Sequence, residues 1–166
     1  MSLNRGIWHP MGSDRPDTTS PLTAQAVTPE RWRETEAARW AEIQAEWLRR
    51  HRVLTAAEVA ERAGRRTANP SDLLRNWVKA KRVFALTERP RRLYPAFQFG
   101  PDGNPNEALR PLLRVLGGTL DGWALAIWFT LPNAELDGWA TPLDTMARDP
   151  DAVVRAAMSE RPAVSF

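Results

Sequence analysis

The 166 residues contain no cysteine, a single tyrosine and two histidines. Without cysteine neither a disulfide framework nor a thiolate metal site can form, and such a chain suits a reducing compartment. His9 and His51 stand far apart, and no paired His/Glu spacing marks a metal-binding helix. No glycine-rich phosphate loop follows a strand-like run. Asp137, Asp144 and Asp149 sit where a turn, a first helical turn and a helix N-cap want a carboxylate, which leaves little for an acidic metal site. The expectation is a protein with no catalytic residue, no metal and no cofactor, and so not an enzyme. Long hydrophobic runs are missing too. The longest, Trp123 to Phe129, falls far short of the roughly 20 residues of a membrane span. Residues 1–27 lack the apolar stretch of a secretion signal. These absences predict a cytoplasmic protein that does not enter a membrane.

What is present is a strongly divided charge. Residues 1–48 hold 5 Arg/Lys against 7 Asp/Glu, a net of −2. Residues 49–92 hold 13 against 4, a net of +9, and residues 93–166 hold 5 against 9, a net of −4. A basic middle between acidic flanks is the electrostatic footprint of a phosphate-bearing partner.

Residues 1–27, rich in Gly, Ser, Thr, Asp and Pro, cannot bury enough apolar surface to offset their ordering entropy and are expected to form a flexible tail. Thr28 as N-cap and Pro29 at the first helical position open an amphipathic helix within residues 28–52. Its stripe of Trp40, Ile43 and Trp47 predicts a dimer seam and hence a homodimer. In residues 53–100, Thr55 caps a short helix that ends at Gly64, and Ser71 opens a second one with Leu73, Leu74, Trp77 and Val78 on its apolar face. This is a helix-turn-helix outline. The runs "VFAL" and "RLYPAFQF", joined by "TERPR", predict a hairpin, with Pro95 marking an edge strand. The whole resembles a winged helix-turn-helix. Arg65, Arg66, Asn69, Ser71, Arg75, Asn76, Lys79 and Arg82 are the expected contacts to operator DNA, phosphates for affinity and base edges for specificity. In residues 101–166, Glu107 to Leu116 predicts a helix burying Leu109, Leu112, Leu113 and Leu116. Asp121 caps an all-round apolar helix, and Thr141 and Asp149 cap two more.

The segment "ALAIWFTLPNAELDGWATPLDTMARDPDAVVRAA" resembles the C-terminal toxin-binding domain of the Xre-MbcA-ParS antitoxin family. The matching positions are Trp128, Pro132, Asn133, Leu136, Gly138, Pro142, Leu143 and Asp144. The likeness covers residues 93–158, and residues 53–92 more loosely. It implies a compact helical toxin-binding domain, and with the winged helix-turn-helix outline and small hairpin read from residues 53–100 the expectation is a mainly α chain. It also implies an antitoxin that neutralises a NAD-depleting, RES-domain-like toxin by direct binding and represses its own operon. On that reading Leu136, Asp137, Trp139, Arg155 and Phe166 form the toxin contact. The alternative is a stand-alone DNA-binding regulator whose C-terminal part serves dimerisation or sensing.

Overall fold

The computed structural model describes residues 28–160. The expected tail of residues 1–27 and the residues beyond Glu160 lie outside the described residues. Within them the chain is mainly helical, with one small antiparallel sheet. Helix α1 spans Pro29–Arg50, with the Thr28 hydroxyl accepting from the Arg31 N–H as its N-cap. Strand β1 is only Val53–Leu54, followed by α2 (Ala56–Arg62) and α3 (Pro70–Lys79). Strands β2 (Leu86–Glu88) and β3 (Arg91–Pro95) form the hairpin, closed at a cis Arg89–Pro90 bond. Four α-helices follow among the described residues: α4 (Leu109–Leu116), α5 (Gly122–Thr130), α6 (Pro142–Met146) and α7 (Pro150–Ser159).

The hairpin is present but shorter than the hydrophobic pattern predicts, its strands drawn in towards the turn. Only Leu86 of "VFAL" is in a strand, and Ala96–Gln98 close into a 3-10 turn. Val83 and Phe84 are buried anchors ahead of the strand, where the Gln98 side chain satisfies the Phe84 backbone in place of a neighbouring strand. The short β1 pairs with the far side of β3, Leu54 opposite Tyr94, so the sheet order is β1-β3-β2. Strand β3 is therefore central, and Pro95 is tolerated because it is its last residue, not because the strand is an edge.

Two apolar clusters hold the fold. The smaller gathers Leu54, Val59, Leu74, Trp77, Val83 and Tyr94 inside the α2–α3 and sheet unit. The larger centres on α5, whose Phe129 is fully buried, stacks on Phe84 at 6.0 Å and meets Phe97 at a tilt at 5.6 Å. Leu109, Leu112, Leu113 and Leu116 of α4 enter it as the sequence predicts, each at most 1% exposed. Such complete burial contributes about 2 kcal/mol per leucine. Phe84 and Leu86 belong to this larger cluster, so residues 53–100 and 101–160 share a core.

Trp47 belongs there as well. It is 6% exposed, meets Trp123 edge-on at 5.9 Å, and its indole N–H donates to Thr130 Oγ1 at 2.9 Å. It is therefore unavailable as a seam residue. The apolar stripe of α1 turns inward at its C-terminal end because α5 offers an apolar face there, while Trp40 and Ile43 remain exposed.

Candidate nucleic-acid interface

Helix α2 begins with a reciprocal capping box. Glu58 N–H donates to Thr55 Oγ1 at 3.3 Å, and Thr55 N–H donates to Glu58 Oε2 at 2.7 Å. Those bonds from Thr55, backbone first and hydroxyl second, hold the Glu58 carboxyl below its ordinary range. Helix α3 starts one residue earlier than Ser71 implies, with Pro70 at its head and Asn69 as N-cap. The Asn69 side chain does not cap it; its Nδ2 donates to Asp72 Oδ2 at 2.6 Å. Asp72 also takes Arg75 Nη1 at 2.5 Å, which aims Arg75 along the exposed side of α3. Leu74 and Trp77 fix the opposite side of the helix in the core.

This geometry leaves an open groove of about 690 Å³ between the starts of α2 and α3 and the β2–β3 hairpin. Ser71 and Arg75 line one wall, Arg91 and Arg92 the other, and Tyr94 the floor. Burial raises the Tyr94 pKa, against the opposing pull of Arg92 and Arg75. A tyrosine is protonated at neutral pH even at its ordinary value of 10, so the phenol is a neutral donor near the guanidinium groups of Arg75 and Arg92. Three cations around a neutral donor suit a phosphate-bearing chain.

The expected DNA contacts divide into four sets. Ser71 and Arg75 line the groove. Arg66, Asn76 and Lys79 are exposed, and their side chains make no hydrogen bond or ion pair among the described residues. Asn69 is exposed but engaged with Asp72. Arg65 and Arg82 lie elsewhere: both guanidinium groups sit 5.7 Å from the centre of the Trp77 ring. Arg82 is further held by Glu107 Oε1 at 2.5 and 3.0 Å, and Arg65 by Asn104 Oδ1 at 3.4 Å. Arg82 is thus a strut between α3 and the loop before α4 rather than a free contact. The sequence reading missed Arg91 and Arg92 because they flank a turn. The signal that could have found them is a run of arginines at a hairpin tip beside a helix-turn-helix.

The residues expected to meet a toxin fare unevenly. Leu136, Asp137 and Arg155 line one groove of about 310 Å³ together with Arg148 and Asp149. Leu136 is 4% exposed, so it supplies the floor and is not itself a contact, because the turn folds it inward. Asn133 closes that turn: its N–H donates to Ala140 O at 3.1 Å, and its side-chain oxygen accepts from the Glu135 N–H at 2.9 Å. Trp139 is 68% exposed and stands at φ +56, following Gly138 at φ +68. Two successive left-handed residues turn the indole outward, a conformation that costs a non-glycine residue about 1 kcal/mol. Phe166 lies outside the described residues.

Among the described residues no group of three or more His, Asp or Glu could hold a metal ion, and no helix is long and apolar enough to cross a membrane. No protein-family model and no curated protein matches the chain. Among solved structures, the NMR structure of Rv2175c is similar in fold, with a TM-score of 0.54 and 22% identity over 66% of this chain and 80% of that one.

Proposed function

We propose that this protein is a DNA-binding regulator whose C-terminal helices also hold a second protein, the arrangement of an antitoxin in a type II toxin–antitoxin pair. The observation that carries the DNA half is the convergence of Arg75, Arg91 and Arg92 around one groove beside the start of α3. A helix start and a hairpin tip on either side of an open groove can straddle a phosphate backbone, with Ser71 and Asn76 available for base edges. Lys79 and Arg66, exposed nearby in sequence, extend the positive face.

The toxin half rests on the resemblance of residues 93–158 to the Xre-MbcA-ParS toxin-binding domain. The outward Trp139 supports it, since a large exposed indole on a fixed turn is the kind of anchor that interfaces use. Asp137 and Arg155 flank the adjoining groove with opposite charges. The partner on this reading is a RES-domain-like, NAD-depleting toxin, and the repressed operon is the protein's own.

A pair of variants tests both halves together. Arg75→Ala weakens binding of a labelled DNA duplex by roughly tenfold at low salt, while protection of cells expressing a RES-domain toxin that the unaltered chain neutralises is kept. Trp139→Ala does the reverse, with DNA binding intact and protection lost at equal antitoxin levels. Intact protection in Trp139→Ala, or a DNA affinity indifferent to Arg75, contradicts the corresponding half. DNA binding without any captured toxin leaves a stand-alone regulator.

A further inference from the structure

Every residue of α1 from Pro29 to Ile43 is exposed, and the helix enters the core only around Trp47. A free helix of this length is marginal in water, because few residues of a short helix repay its nucleation. Yet this overhang is not polar all round. Trp32 is 59% exposed, and Trp40 and Ile43 are each 41% exposed. At about 100° per residue, Trp32, Ile43, Trp47 and Trp40 fall within roughly 80° of one another. The stripe that Trp47 presses into α5 therefore continues along the helix beyond its own support. Beside it, Ile43, Ile127 and Leu131 line an open groove of about 480 Å³ between α1 and α5. Leu131 is itself 55% exposed.

We propose that this overhang is a self-association face on which a second copy packs its own α1 antiparallel, about a two-fold axis crossing near residues 37 and 38. That symmetry sets Trp32 of each copy opposite Ile43 of the other, over the apolar groove. It also sets Glu36 opposite Arg39 of the second copy, twice across the axis. A parallel pairing would instead oppose Glu36 to Glu36 and Arg39 to Arg39, and like charges face to face are repulsive. The separation of Trp32 and Ile43 along the helix, about 16 Å at 1.5 Å per residue, lets both indoles seat at once. One face thus supplies both the apolar anchors and the charge pattern, as an isologous contact requires. Trp47 takes no part, and Trp32 takes the place that the sequence pattern gave it.

Sedimentation velocity of the full chain from low-micromolar to sub-millimolar concentration tests this. The expected result is a monomer–dimer equilibrium that Glu36→Arg and Arg39→Glu each weaken by roughly tenfold. The double variant carrying both changes regains it. Trp32→Ala weakens association as well, with an unchanged thermal melt at dilutions where the chain is monomeric, because its side chain is exposed there. A chain that stays monomeric throughout, or a dimer indifferent to both single charge changes, overturns the proposal. If a monomeric full chain dimerises once residues 1–27 are removed, the face belongs to that segment and not to a second copy.

Discussion

Gln98 is the buried polar side chain of the described core, and its amide acts as a missing strand. Its Oε1 accepts from the Phe84 N–H at 2.7 Å, and its Nε2 donates to Phe84 O at 3.0 Å. Gln98→Leu fills the same space but strands both backbone groups in the core, which costs about 3 kcal/mol; the urea midpoint measures it. His51 carries a pH signature of its own. It stacks on Trp47 at 4.5 Å, and burial first, then Arg50, lowers its pKa. The folded state therefore takes up this proton less readily than the unfolded chain. Stability is full above the ordinary value of 6.5 and falls as the pH drops through it towards the lower folded pKa. His51→Gln flattens that part of the stability profile, as a series of melts between about pH 5 and 8 will show. At this scale the sequence is least legible. Nothing local marks Gln98 as buried in a strand-like run, and the partners of Arg65 and Arg82 lie 39 and 25 residues away.

Elements are more legible, because their ends are written in neighbouring residues. Thr28, Thr55, Asp121, Thr141 and Asp149 each cap the helix expected of them, with the side chain accepting from a backbone N–H two or three residues into the helix. The leucines of α4 show their periodicity for the same reason. The strands do not, since two- and three-residue strands carry too little alternation to fix a register, and β1 depends wholly on β3 for its identity. The link between the two halves of the fold was equally hidden. A side chain at Gly122 would place its Cβ 1.9 Å from Ala85 O, so the start of α5 lies directly on the backbone leading into β2. This contact lets the Trp123 indole N–H donate to Thr87 O at 3.3 Å. Gly122→Ala destabilises by about 2 kcal/mol through forced displacement. Gly118→Ala, with nothing within 4 Å of its Cβ, leaves the melting temperature nearly unchanged.

Across the whole molecule, the charge division of the sequence becomes a division of surfaces. Part of the basic middle is spent internally, Arg82 on Glu107 and Lys81 on the Gly117 carbonyl at 2.9 Å. Of the rest, Arg91 and Arg92 converge with Arg75, itself paired with Asp72, on the groove between α3 and the hairpin, while the turn between α5 and α6 carries the outward Trp139. The sum of charge was legible, but its direction was not, because only folding brings a hairpin tip beside a helix start. The central claim is that this groove holds the DNA backbone, and salt dependence tests it most directly. Each phosphate neutralised releases condensed counterions, so the logarithm of affinity falls with the logarithm of salt by about 0.9 per contact. The measurement is the affinity of the full chain for a DNA duplex across a salt series, beside the Arg91→Ala/Arg92→Ala double variant. The account predicts salt-sensitive binding whose slope drops by about 2 units in the variant. A slope unchanged by the double substitution, or no binding even at low salt, would contradict it.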